Sequence, residues 1–218
     1  MTPDILIAFA TFCFVSSITP GPNNLMLMAS GANFGIRRTL PHWLGISIGF
    51  TAMIALVGIG AIQVFEAFPI TYTILKALSV AYLLYLAWKI ANAAPPREAD
   101  AAGTPMTFLQ ACAFQWVNPK AWAMSLTAVS VYTPTQGALA ILTTALIFGV
   151  INLPTCSTWM FIGQQMRRFL TNPARLRAFN IMMAILLVAS LYPMMFEQNA
   201  ASVGGITAPL AQSSPGTP

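Results

Sequence analysis

Long uncharged stretches restrict this chain more than any other feature. Residues 5–36, 121–166 and 178–196 contain no acidic or basic side chain, and 39–65 contains only His42. Each stretch reaches or exceeds the about 20 apolar residues that cross the roughly 30 Å hydrocarbon core of a bilayer. Only 7% of the 218 residues are charged and 57% are hydrophobic, against about 25% charged in a soluble domain. So few charges cannot cover a water-facing surface, which excludes an ordinary soluble enzyme. The stretches far exceed barrel strands in length, so helices must satisfy the backbone in lipid. The expected fold class is an all-α integral membrane protein.

The opening Met1-Thr2-Pro3-Asp4 has no basic segment, and no small-x-small cleavage site follows the first apolar run. It reads as a retained span rather than a signal peptide. The net charge of +5 is spread over short loops, which fits orientation signals and not a nucleic-acid partner. Cys13, Cys112 and Cys156 lie inside apolar runs without a CxxC pair, so neither a disulfide framework nor a zinc site is indicated. No cofactor is expected.

Six spans fit the pattern. The first runs from Asp4 to about Phe34, interrupted at Thr19-Pro20-Gly21-Pro22-Asn23-Asn24. The second covers about Leu40 to Phe65 and the third Ile70 to Lys89. The fourth runs from Phe108 to Val131, broken at Asn118-Pro119-Lys120. A turn at Tyr132–Gly137 separates it from the fifth, which ends near Gly163, and the sixth covers Ala178 to Phe196. The expected organisation is one transmembrane translocator domain over 1–196, in halves of about 1–92 and 105–196. A charged cytoplasmic linker over 93–104 joins them, and a disordered tail occupies 197–218.

Loop cations set the orientation. Arg37 and Arg38 follow span one, Lys89 and Arg97 span three, and Arg167, Arg168, Arg175 and Arg177 span five; the alternate loops hold almost none. Lys76, two turns into span three, has a stem long enough to snorkel. Odd-numbered loops are thus expected in the cytoplasm and both termini outside. A weak repeat underlies the count. Shifting the sequence by 99 residues lays Phe9 on Phe108, Cys13 on Cys112 and Pro20 on Pro119. Each half holds three spans, so the second must sit inverted. Broken helices at matching places in inverted repeats are a transporter signature, with the site near the midplane.

Proline in a helix interior costs about 3 kcal/mol, so Pro20-Gly21-Pro22 should unwind the backbone. Freed polar groups are tolerated in lipid only when buried in protein or facing a water-filled cavity. Thr19, Pro20, Gly21, Pro22, Asn23 and Asn24 therefore form a candidate substrate site. A half-helix beginning there turns its positive end toward a carboxylate. A proline kink filled by neighbouring side chains is the plainer account. Asn118, Pro119 and Lys120 complete the candidate. A lysine near the bilayer centre costs about 2.5–3.5 kcal/mol on insertion scales, so Lys120 is expected to bind a substrate carboxylate, shuttle a proton, or hold unwound carbonyls. Gln115, one turn before Pro119, could line the same cavity or bond a neighbouring helix. Asn152, beside a softer break at Pro154, is the last candidate. His42 reads as interfacial, with a proton relay as the alternative, and Gly45-x-x-x-Gly49 as a packing motif. No acidic residue lies mid-membrane.

Thr19 to Asn24, with Gly31, Gly35-Ile36-Arg37-Arg38, Gly45 and Gly49, resembles the lysine-exporter (LysE/RhtB) family of amino-acid exporters. Phe114-Gln115-Trp116-Val117-Asn118-Pro119-Lys120-Ala121 is similar to that family's second signature, and Leu75-Lys76-Ala77 through Tyr82-Leu83 to Trp88-Lys89 to its third span. The resemblance covers nearly all of 1–196. It implies a six-span inner-membrane protein of two inverted three-helix repeats that exports amino acids or related metabolites on the proton gradient. Some members carry an acidic residue in span two; here that stretch offers only Ser47 and Thr51, which points to a neutral cargo. The expected partners are an amino acid or similar small molecule, membrane lipid and the proton, with a homo-oligomer possible. A thiol-redox electron carrier using Cys13 and Cys112 is the alternative from another class, and a non-transporting subunit of a membrane complex is a third.

Overall fold

The computed structural model describes residues 1–61, 63, 67, 68, 70–93, 104–133 and 137–192. These are helical, with no strand among the described residues. The helices are α1 (Pro3–Ile18), α2 (Pro22–Phe34), α3 (Ile36–Leu56), α4 (Ile70–Ala91), α5 (Phe108–Val117), α6 (Pro119–Tyr132), α7 (Ala138–Met166) and α8 (Pro173–Ala189). A π-helical turn over Val57–Ala61 ends α3, and Gly60 there takes a φ of 123°, which a side chain would resist. Most of the linker, the Pro134–Gln136 part of the expected turn, Glu66, the end of span six at Phe196 and the tail lie outside the described residues.

Thr-Pro, Gly-Pro and Asn-Pro steps start four of these helices. Pro3, Pro22, Pro119 and Pro173 stand in first turns, where a missing N–H costs nothing because the first turn's N–H groups have no partner within the helix. Pro22 and Pro119 thus begin new helices, so the breaks expected in spans one and four are present, and the plainer account of a kink within one helix does not hold. Asn118 and Asn172 cap their helices, accepting from the Lys120 and Ala174 N–H groups at 3.1 and 2.8 Å. The Asn172 cap also moves the start of the last helix forward from the expected Ala178, taking Arg175 and Arg177 into its first turns. The softer break expected at Pro154 is absent: α7 runs through it.

By length and apolar composition α3, α4 and α7 each suffice to cross a bilayer; α1 and α2 meet at a 52° bend and together reach that length only when counted as one broken span. Helices α2 and α3 pack on α7, α3 also lies along α5, α4 pairs with α8, and α1 flanks α7. Small residues set the closest approaches. A side chain on Gly163 would strike the Met28 carbonyl, and one on Gly45 or Gly49 the α5 backbone at Phe108 or Cys112. The expected packing role of Gly45 and Gly49 holds.

Two apolar cores stand on either side of the helix breaks. In the first, Phe148 meets Phe9, Phe12 and Phe50 edge-on at ring distances of 6.0, 6.0 and 5.0 Å, joining α1, α3 and α7. The second gathers Met26, Leu83, Leu86, Phe114 and Leu187 from α2, α4, α5 and α8. The exterior is apolar, with Leu109, Leu139 and Val150 more than two-thirds exposed, while Asn24, Asn33, Gln115, Asn118, Asn152 and Asn180 are buried. That inversion of a soluble protein's pattern marks a protein solvated by lipid. His42, expected at the interface, is buried against the protein rather than exposed, and it stands inside α3, which begins at Ile36, earlier than the sequence pattern implied.

Basic residues gather toward one pole. The α2–α3 turn meets the end of α7 there, where the Ile36 N–H donates to Gln164 at 3.0 Å. Asn180 of α8 donates to the carbonyl of Ala93, just past α4, at 3.4 Å. Arg37, Lys89 and Arg167 thus belong to the same end of the bundle.

Candidate functional site

Helix α1 stops at Ile18, and Thr19 and Gly21 are extended. Its last carbonyls have no helical partner, so side chains from other elements must supply donors. Asn24 donates to the carbonyls of Ser17 and Thr19 at 2.7 and 2.8 Å, and the Trp159 indole donates to that of Ile18 at 3.2 Å. The remaining donor comes from the other break. The Lys120 ammonium reaches the Thr19 carbonyl at 2.8 Å, the Thr19 hydroxyl at 2.7 Å and the Pro20 carbonyl at 3.4 Å. Gly21 makes room for it: a Cβ there would stand 2.8 Å from Lys120 Cδ.

A second link runs beside the first. Asn23 and Gln115 exchange amide hydrogen bonds at 2.8 and 3.2 Å, tying the first turn of α2 to the last of α5. Gln115 also donates to the Ala111 carbonyl at 2.9 Å. Asn152 of α7 donates to the Ser17 hydroxyl at 3.0 Å, and its buried Oδ1 has no partner. Around these groups lies a cavity of about 20 Å³, lined by Ser17, Asn23, Asn24, Asn118, Lys120 and Asn152. That volume holds about one water molecule; an amino acid needs the breaks to part.

The candidates from the two breaks therefore converge. Thr19 and Pro20 grip Lys120, Gly21 lets it pass, Pro22 and Pro119 start the second half-helices, and the asparagines close the cavity. Of the roles foreseen for Lys120, holding unwound carbonyls is the one this conformation displays. Ser17 and Trp159 were missed. A serine in the turn before a break was a readable signal; nothing near Trp159 in sequence pointed to Ile18. Cys13 lies in the aromatic core, and Cys112 donates to the Gly45 carbonyl at 3.3 Å. Neither has the electropositive, accessible setting of a reactive thiolate.

Electrostatically the site is one ammonium among amides and carbonyls, with no carboxylate on its lining. Two helix N-termini, of α2 and α6, add their positive ends. Such a place favours an anionic group.

The profile of the LysE type translocator family matches residues 14–190, a range that contains every residue of this site. The cysteine/O-acetylserine efflux proteins of Escherichia coli (strain K12) and Shigella sonnei (strain Ss046) are each 30% identical to this chain over 190 residues, covering 86% of it and 96% of the relative. No solved structure matches. Paired broken helices, buried amides beneath a lipid-facing exterior and this match together establish that the chain belongs to the LysE type translocator family, as a membrane transporter and not an enzyme.

Proposed function

We propose that this protein is an inner-membrane secondary exporter of small neutral amino acids, built as six spans in two inverted repeats and driven by the proton gradient. The observation that carries the reading is the contact between the two breaks, where Lys120 of α6 holds the Thr19 and Pro20 carbonyls beyond α1. A carboxylate is a stronger partner for an ammonium than a neutral carbonyl. An arriving amino acid would take Lys120 from those carbonyls, and the unpaired Oδ1 of Asn152 would accept from its ammonium group. Losing the Lys120 link loosens one break from the other, which couples cargo binding to alternating access.

Several features support the six-span repeat. Helices α1 and α5 end at Ile18 and Val117, positions related by the same 99-residue shift as Pro20 and Pro119. Exchanging the halves carries the packing of α1 on α7 into that of α5 on α3 and leaves the α3–α7 and α4–α8 pairs as they are, whereas α2 lies along α7 far more extensively than α6 does along α3. Helix α8, at 17 residues, lies at the short end of the roughly 17–25 that span a bilayer. The basic pole would face the cytoplasm, leaving both termini outside.

Cargo class rests on two features. Ser47 and Thr51 stand where an acidic partner for a cationic substrate would be expected, and the relatives are named for cysteine and O-acetylserine. Proteoliposomes preloaded with L-cysteine, O-acetyl-L-serine or L-lysine test it. The first two should leave under an imposed proton gradient and lysine should stay. Retention of all three, or selective loss of lysine, contradicts the reading.

A further inference from the structure

A second cavity lies at the basic pole, away from the breaks, between the ends of α2 and α4 and the start of α5. Its volume is about 200 Å³, somewhat more than the about 150 Å³ that accommodates benzene in an engineered protein core. Met26, Leu86 and Met106 give it apolar walls. Its polar lining is unusual. His42 is 1% exposed, yet neither ring nitrogen has a hydrogen-bond partner among the described residues. Buried polar groups are nearly always paired, because leaving one unpaired forfeits its hydration.

Neighbouring groups do not relieve it. Ser30 is committed to the Thr39 hydroxyl at 2.9 Å, and Asn33 to Asn180 at 2.7 Å and to the Ala29 carbonyl at 2.8 Å. Lys89 lines the same cavity and has no hydrogen-bond or ion-pair partner among the described residues. The cavity thus offers a cation with no partner among the described residues, and the unpaired imidazole is buried in the wall of the same apolar chamber.

We propose that this cavity is a second substrate site, where the cargo amino acid first docks from the cytoplasm, its carboxylate on Lys89 and His42 and its side chain against Met26, Leu86 and Met106. The assignment of the ligand rests on the exporter reading above; the site itself rests on the unpaired imidazole and the cavity. Bound there, the amino acid waits at the pole while the cavity at the breaks is too small to receive it. A small carboxylate is the ligand, and a lipid phosphate is the competing source of the same anionic chemistry.

Ala93 lines the cavity and is half-buried, so a cysteine there reports occupancy. The full-length chain, with Cys13, Cys112 and Cys156 replaced by serine and Ala93→Cys added, is reconstituted in phosphatidylcholine nanodiscs and labelled with a maleimide. O-acetyl-L-serine should slow labelling, and its carboxamide analogue should not. Lys89→Gln, at a half-exposed helix end where folding is little at risk, and His42→Ala should each raise the protecting concentration about 10-fold, the cost of one charge-assisted hydrogen bond. Absence of labelling, absence of protection by the amino acid, protection unchanged in Lys89→Gln, or protection by added phosphatidylglycerol alone would each overturn the proposal. Protection without efflux would remove the exporter reading and keep the site; efflux without protection would do the reverse.

Discussion

At the scale of single residues, this protein solves the problem of an interrupted helix in lipid with donors borrowed from elsewhere. The carbonyls ending α1 are taken by Asn24, Trp159 and Lys120, three side chains from three helices. Gln115 illustrates the stakes. It is fully buried and its amide exchanges two hydrogen bonds with Asn23. Gln115→Leu should leave the Asn23 amide unpaired and cost about 1–3 kcal/mol, read as a lower thermal midpoint in detergent; an unchanged midpoint would mean the pair is not formed. The sequence made Asn23, Asn24, Gln115, Asn118 and Lys120 legible because polar side chains stand out in apolar runs. It did not reveal which would meet. That Lys120 touches Thr19 depends on how the helices pack, and no local pattern encodes it.

At the scale of elements, proline placement was only partly readable. The run from Thr19 to Asn24 and the Asn118-Pro119 step marked the breaks correctly; that Pro22 and Pro119 each stand in the first turn of the following helix is what the structure adds. Asn118 shows how: its side chain caps α6 and its backbone closes α5. Asn118→Ala should lose about 1 kcal/mol from the missing cap and loosen the turn that aims Lys120, so efflux should fall with only a small drop in thermal midpoint. The approach of α2 to α7 depends on Gly163, whose absent side chain leaves space for the Met28 carbonyl. Gly163→Leu should force the two helices apart and cost about 1–3 kcal/mol, seen in the same thermal assay. The continuity of α7 through Pro154 was not legible, since a proline's effect on a long helix is set by the neighbours that hold it.

At the scale of the whole molecule, membrane character and the arrangement of charge were fully legible, because they follow from composition and from where the arginines and lysines fall. The structure adds that Arg37, Lys89 and Arg167 share one pole, which is what a single cytoplasmic face requires. Alkaline phosphatase fused after Tyr192 should be active outside the cytoplasm, and fused after Ala93 inactive; the opposite pattern would reverse the orientation. The second cavity at that pole was invisible in the sequence, because His42 looked interfacial and only packing shows its imbalance.

The central claim is that Lys120 holds the cargo carboxylate when it is not holding the first break. Efflux of O-acetyl-L-serine from preloaded proteoliposomes, compared between wild type and Lys120→Ala at equal reconstituted protein, tests it most directly. The account predicts that the variant loses at least about 10-fold in efflux rate, the worth of one charge-assisted contact, while remaining folded and monodisperse. Wild-type efflux from a folded Lys120→Ala protein would contradict it.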